Sequence, residues 1–446
     1  MKKIVLFALA MEVLSGMAQA QDPWALEQCI QYANENNLQI KMGELSVNMS
    51  KDKLLQSKLS IYPSANLNAN HAYSFGRVTN YITNQKESRN TQSTSFSFSS
   101  SMPLFEGFQL TNTKKQSNYD LLASIQDVET VKNNIALSVA SAYLQILYQQ
   151  ELVEVAQRQV EQSEMQVKRT ALLVNAGSLP EGNLYEVEAL LASDELQLVN
   201  SRNQLDLAYL NLTQLLEIKD VENFRIAKPN ISEVDSIAVI QNPQEIFTVA
   251  QQTMPQILGS QYKVQSSEMG LKIAKGANYP RLTLSGSYSS GAQSYLNNDN
   301  PLLTSDPFFT QIKDNASTSV GLSLGIPIFN GGSTRYRVST ARISLDNARL
   351  TLENEKNILY KDIQQAYADA IAAQKKHKAS QKSKMASEES FRYTENKFNL
   401  GLLPAIDYTT ARNNLAKAET DLLQAKYELV FKTKILDFYK GVPLSL

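Results

Sequence analysis

Along 317–329 apolar and polar positions alternate strictly. Val320, Leu322, Leu324, Ile326 and Ile328 fall on one face, and Ser319, Gly321, Ser323 and Gly325 on the other. The same period runs through 94–104, where Phe96, Phe98 and Met102 oppose Ser95, Ser97, Ser99 and Ser101. It runs through 281–289, with Leu282, Leu284 and Tyr288 against Thr283, Ser285 and Ser287, and less cleanly through 67–75. Successive strand side chains point to opposite faces, so these are four strands with one apolar and one small, polar face. Elsewhere the period changes. No glycine or proline occurs between Gly107 and Gly177, or between Gly332 and Gly401. Some 70 residues at 1.5 Å each predict helices of about 100 Å, far longer than a compact domain. The segments after them carry a heptad: Leu184, Leu191, Leu198, Leu205 and Leu212, then Tyr408, Leu415, Leu422, Leu429 and Leu436. Seven-residue spacing implies left-handed supercoiling against neighbouring helices.

These elements come twice. Pro103-Leu104-Phe105-Glu106-Gly107 recurs as Pro327-Ile328-Phe329-Asn330-Gly331, Ala142-Tyr143 as Ala366-Tyr367, and Gly177 and Pro180 as Gly401 and Pro404, all 224 apart. Upstream the offset is 217, from Tyr62-Pro63 to Tyr279-Pro280. A first copy is expected over 21–230: a helix at about 24–60, a strand pair at about 61–104, a long helix at about 108–176 and a return helix at about 183–218. A second is expected over 244–441, with a helix to about 277, strands at about 279–329, a long helix at about 333–400 and a return helix at about 405–440. Residues 219–243, with Pro229 and Pro243, read as an irregular connector. Each return helix spans half the long one, so 244–277 is expected to continue 183–218, and 24–60 to continue 405–440.

The chain has 446 residues and a net charge of −1, with 43 basic and 44 acidic residues, which leaves no electrostatic footprint for nucleic acid. Lys2 and Lys3, a short apolar run and Ala18-Gln19-Ala20 predict an export signal over 1–20. Cys29 is the single cysteine, so no internal disulfide forms. No apolar stretch after the signal is long enough for a spanning helix, so a membrane role falls to the strands. One apolar face opposite a small, polar, lysine-free face fits a barrel wall with lipid outside and water inside. Tyr62, Phe105, Tyr279 and Phe329 at the strand bases fit an aromatic girdle, and the polar stretches at about 77–92 and 290–314 fit outward loops. His71 falls on the lipid-facing parity. Four strands cannot close a barrel, and hydrocarbon tolerates no open edge, so several copies must share one. Three give twelve strands, wide enough for water. The fold class is thus an α+β membrane protein, internally duplicated, whose four strands per chain complete a trimeric twelve-stranded β-barrel continued by a coiled-coil α-helical barrel.

A duplicated strand pair plus giant helix, Tyr-Pro opening each pair and Pro-Leu/Ile-Phe-x-Gly leading into each helix resemble the TolC-type outer-membrane efflux family over essentially the whole chain after 1–20. The resemblance implies a homotrimer in outer-membrane lipid, a helical tunnel through the periplasm of a Gram-negative bacterium, and a closable inner end. It also implies a periplasmic adaptor and an inner-membrane pump as partners. The helix turns at 175–180 and 399–404 would be the adaptor-contacting tips: Gly177, Ser178 and Leu179, and Gly401, Leu402 and Leu403, with the three leucines exposed. In the family a carboxylate six residues past the tip glycine lines the constriction. Here that position is Asp407 in one copy and Asn183 in the other, with Glu181 and Glu186 nearby; three-fold symmetry would make rings of carboxylates that favour cations. Acids at a helix start are also favoured by the helix dipole alone. Leu403 replaces the family's basic gate residue, and Arg392 or Lys397 are the candidate substitutes.

Nothing points to catalysis. His71, His377 and Cys29 are too scattered for a metal set or a nucleophile pair, and Gly331-Gly332 lacks a phosphate-binding lysine. No catalytic residue, cofactor or metal is expected. The competing reading is a periplasmic coiled-coil structural or adhesive protein whose strands form a soluble sandwich.

Overall fold

The computed structural model describes residues 23–79, 84, 86–88, 90–221, 223–229, 242–296 and 305–446. The expected signal at 1–20, most of the connector and the parts of the expected outward loops at 80–83 and 297–304 lie outside them. The elements are α1 (Leu26–Asn36), α2 (Leu38–Leu59), β1 (Ser64–Ser74), β2 (Arg77–Thr79), β3 (Lys86–Ser88), β4 (Thr91–Glu106), α3 (Gln109–Asn175) and α4 (Gly182–Leu216). There follow α5 (Pro243–Thr253), α6 (Pro255–Gly276), β5 (Arg281–Tyr295), α7 (Phe308–Asp314), β6 (Ser317–Gly325), α8 (Ser333–Asn399) and α9 (Ala405–Tyr439). The duplication is visible in the lengths: α1 and α5 have 11 residues, α2 and α6 have 22, α3 and α8 have 67, α4 and α9 have 35.

One compact unit takes its residues from within 47–124 and 259–352. Its sheet has the order β1-β4-β5-β6, antiparallel throughout, and β2 with β3 forms a separate small hairpin. Register repeats with the sequence: Ser64 faces Ser101 and Arg281 faces Gly325, related by the same 217 and 224 offsets. Serines bond across the polar face, Ser287 with Ser319 at 2.8 Å and Ser64 with Ser101 at 3.1 Å. On the opposite face Leu67, Val320 and Leu322 are exposed hydrocarbon. β1 and β6 are the edges, each paired on one side only. β6 stops at Gly325 rather than reaching Phe329, because Pro327 has no N–H to donate and β5 begins only at Arg281. β4 runs on to Glu106, opposite Arg281, with a register shift between Pro103 and Phe105. The loop at 77–92 contains β2 and β3, and that at 290–314 contains the end of β5 and α7.

Turns from strand to long helix use left-handed backbone. Gly331 and Gly332 have φ of 64° and 82°, while the first copy has Gly107 and Phe108 at 59° and 61°. Phe108 adopts a conformation disfavoured for a side chain, and its ring packs edge-on against Phe105 (5.2 Å) and Tyr279 (6.4 Å).

The second unit, from within 23–46, 125–258 and 353–446, is helical around one main core. Leu26, Cys29, Ile40, Tyr143, Ile146 and Leu212 are among its buried members. Burial pushes the Cys29 thiol up to about 12, with Glu27 adding to it. Trp24 and Ile226 form a short parallel bridge, and the buried Tyr143 hydroxyl donates to the carbonyls of Ala227 (2.6 Å) and Trp24 (3.0 Å). That tie accounts for the tyrosine of the first Ala-Tyr pair.

Two expectations change here. The helices at 24–60 and 244–277 are each interrupted, at Asn37 and Met254, both extended. The pairing of short helices with return helices is also reversed. Asn37 is buried; its Oδ1 accepts from Gln39 N (2.9 Å) at the start of α2, and its Nδ2 donates to Leu215 O (2.9 Å) at the end of α4. One side chain thus satisfies orphan groups at two helix ends. In the second copy α9 lies against α5. Each return helix therefore meets the short helices of its own copy.

Candidate functional site

Both long helices end in the same way. Gly177 N donates to Val174 O (2.9 Å) and Ser178 N to Leu173 O (2.9 Å), while Gly401 N donates to Phe398 O (2.9 Å) and Leu402 N to Lys397 O (2.9 Å). This is the Schellman pattern, which needs left-handed backbone at the glycine; φ is 70° at Gly177 and 73° at Gly401. Pro180 and Pro404 then delay the next helix. Leu402 is exposed as expected, but Leu179 and Leu403 are half-buried. The bare apolar surface at the tips is instead extended by Leu172, Leu400 and Ile406, which the motif did not single out.

Glu181, Asn183 and Glu186 stand at the start of α4 and Asp407 in the first turn of α9. Glu181 accepts from the Tyr185 hydroxyl at 3.3 Å, and Asn183 is half-buried. No hydrogen bond or ion pair among the described residues joins Asp407 to the other three. Asp407 borders an open groove between α8 and α9, lined by Ser387, Ser390, Thr394, Thr410 and Asn414. Small hydroxyls and an amide around one exposed carboxylate make a polar, hydrated site. Of the candidate gate substitutes, Arg392 is paired with Glu389 on its own helix at 2.6 Å. Near the tips Arg169 does bridge the two hairpins, donating to Asn399 Oδ1 (2.5 Å) and O (3.4 Å) at the end of α8.

Deeper in the bundle lies a network that the heptad reading passed over. Arg412 on α9 donates to Asp194 Oδ2 on α4 (2.5 Å), and to Ser163 Oγ (2.7 Å) and Gln159 O (3.1 Å) on α3. Ser163 Oγ donates in turn to Asp194 Oδ2 at 2.5 Å. All three charged or hydroxyl side chains are buried. A signal was present: Val187, Asp194, Ser201 and Ala208 form a second buried row at seven-residue spacing, and an aspartate in such a row needs a cation. Between this network and the tip, Tyr408 stacks on Phe398 (4.8 Å) and tilts against Phe391 (5.5 Å), joining α8 to α9. Burial pushes the Tyr408 hydroxyl above its usual range, partly opposed by Arg412.

No helix among the described residues is long and apolar enough to cross a membrane, and no group of three or more His, Cys, Asp or Glu among them is placed to hold a metal. The sequence profile described as outer membrane efflux protein matches residues 29–217 and 247–437, one stretch per copy. The chain belongs to the outer membrane efflux protein family. It is 24% identical to outer membrane protein TolC of Escherichia coli (strain K12) over 356 residues, 77% of this chain and 66% of that protein. It is likewise 24% identical to toxin and drug export protein A of Aggregatibacter actinomycetemcomitans, over 72% of this chain and 67% of that protein. The match thus spans about two thirds of these curated relatives. The fold is shared with CusC at a TM-score of 0.79 and 17% identity, over 94% of this chain and 92% of that one. Family membership places this efflux protein in the outer membrane and sets aside the soluble coiled-coil reading.

Proposed function

We propose that three copies of this chain pool their strands in the outer membrane and form a passive exit duct, opened at its helical tips by a periplasmic adaptor and an inner-membrane pump. The observation that carries this reading is the sheet with two unpaired edges. Unpaired backbone is intolerable in hydrocarbon, so β6 of one copy must meet β1 of the next. An eight-stranded barrel is filled by its own side chains, but Ser, Asn and Gly are too small to fill one, which favours twelve strands.

The duplication predicts the register of that junction. β4 and β5 join the copies within the chain, with Ser99 facing Ser287. Carried over by the two offsets, Ser323 faces Asn70 of the neighbouring chain. The expected result is that Asn70→Cys with Ser323→Cys oxidises to a covalent trimer, while either variant alone does not. Within one sheet these edges lie three strand spacings apart, about 14 Å, beyond disulfide reach. A purified double variant that stays monomeric under oxidation would sink the shared barrel.

In such a trimer Asp407 recurs three times around the axis, near the tip. The polar groove beside it supports a cation-favouring constriction, with Glu181, Glu186 and Asn183 as the first copy's contribution. Asp407→Asn is expected to lower cation over anion selectivity, read as a smaller reversal potential across a planar bilayer under a salt gradient. An unchanged reversal potential would leave Asp407 as a helix-start acid with no part in selection. The tips at Gly177, Ser178 and Leu179 and at Gly401, Leu402 and Leu403 are the proposed adaptor contacts, widened by Leu172, Leu400 and Ile406. One relative is named for toxin and drug export; for this chain substrate choice belongs to the pump it serves.

A further inference from the structure

We infer that α7, at the loop end of the sheet, is a membrane anchor whose Phe308 and Phe309 enter the headgroup–acyl boundary of the outer leaflet. The inference rests on the barrel reading above and adds a lipid contact to it.

First, α7 is held in place. β6 pairs with β5 only as far as Ser317 opposite Ser289, yet β5 continues to Tyr295. The orphaned side of that extension is satisfied by α7 and its flank. Gln293 N donates to Gln311 Oε1 (2.9 Å), Asn315 Nδ2 donates to Gly291 O (2.8 Å), and Ser290 Oγ donates to Ile312 O. Gln311 is itself fixed by donating to Asp306 O at 2.6 Å. Secondly, the face is defined. Ser290 and Ala292 are the buried residues of β5, and they share parity with Leu282, Leu284 and Tyr288, not with the serine row. α7 therefore covers the apolar side of the sheet. Thirdly, its own apolar groups face away uncovered. Phe309 is 83% exposed and Phe308 43%, their rings edge-on at 5.4 Å, amid Thr310, Lys313 and Asp314. Two uncovered aromatics with Lys313 on the face of Phe309, whose ammonium can reach up to the headgroups, suit a short helix lying in a bilayer interface.

Height agrees. Tyr73 and Phe75 are exposed on the same side and at the same end of the sheet. The other belt is at the strand bases, with Tyr62 and Tyr279 exposed. Eleven residues separate Tyr62 from Tyr73, which at a barrel tilt is about 28 Å along the membrane normal, close to the apolar band of an outer-membrane barrel. His71 also finds its place. Its Nδ1 is 2.7 Å from Thr94 Oγ1 and its ring is edge-on to Tyr73 at 4.9 Å, while Thr94 lies opposite Ala292, beneath α7. An imidazole on the lipid-facing parity is tolerable at this level, because this is the polar boundary and not the hydrocarbon.

The test uses single tryptophans in a Trp24→Phe background, in full-length protein reconstituted into phosphatidylcholine vesicles whose acyl chains carry bromines either near the headgroup or near mid-chain. Phe309→Trp is expected to be quenched about twofold more by the shallow bromines than by the deep ones, as an interfacial ring would be. Leu322→Trp, in the middle of the exposed β6 face, is the control and should favour the deep bromines. Quenching of Leu322→Trp with none of Phe309→Trp overturns the anchor and leaves the barrel standing. Deep bromines quenching Phe309→Trp more strongly also overturns the interfacial placement. Absence of quenching in both overturns the barrel reading instead.

Discussion

Arg412→Ala is expected to lower the unfolding free energy by about 3–5 kcal/mol, the usual cost of stranding one member of a buried ion pair. The substitution leaves Asp194 with only the Ser163 hydroxyl as partner, in a site from which water is excluded. It also frees α9 from α3 and α4 in the tip-proximal part of the bundle. Asp194→Ala should cost as much for the mirror reason, an unpaired guanidinium. The double replacement Arg412→Leu with Asp194→Leu should recover most of the loss, since neither charge is then left unpaired. Urea denaturation of the trimer, followed by circular dichroism, reads all three. A loss below about 1 kcal/mol for Arg412→Ala would mean that water reaches the pair and that it behaves as a surface salt bridge.

Gly107→Ala and Gly331→Ala form the second experiment, and their comparison carries the information. Both glycines hold left-handed backbone, which costs a side chain on the order of 1–2 kcal/mol. At Gly107 an added methyl would also lie 2.2 Å from Gly276 O and 2.8 Å from Tyr279 Cβ, so the strand-to-helix turn cannot keep its geometry. Around Gly331 nothing lies within 4 Å. Seen as a lone chain, the second variant should lose only the backbone contribution. In the proposed duct the offset of 217 brings Tyr62 of the neighbouring copy to Gly331, as Tyr279 is brought to Gly107. Leu59 there replaces Gly276, where a Cβ would lie 2.6 Å from the Gly107 carbonyl, and so crowds the turn further. Both variants should then fail to yield a heat-resistant trimer on gel electrophoresis. Trimers of normal stability from Gly331→Ala would show that the copies do not meet with the symmetry of the repeat.

Much of this was readable without coordinates because the periodicities are undisturbed. Period two at 281–289 and 317–325 can only be strand, and the lack of any glycine or proline over nearly 70 residues can only be one long helix. The glycines at 177 and 401 ended those helices where their left-handed geometry requires. Misreadings arose where a single side chain outweighed the pattern. Asn37 sits inside an uninterrupted helical pattern, yet it breaks the helix because its amide can serve α2 and α4 at once. That capping also decided which short helix meets which return helix, against an expectation drawn from helix lengths. Leu179 and Leu403 looked bare in a turn motif and are half-buried, since burial depends on neighbours that no local spacing describes.

The sequence alone determined the duplication, the four amphipathic strands, the paired 67-residue helices and the family, because each is a repeating local pattern that survives substitution. Tertiary structure alone decided the Arg412–Asp194–Ser163 network, the Arg169–Asn399 bridge and the seat of α7 on β5. These contacts join residues 18 to 249 positions apart, and their energy comes from removing charges and orphan backbone groups from water. Period and composition carry no record of which distant partner completes a buried group.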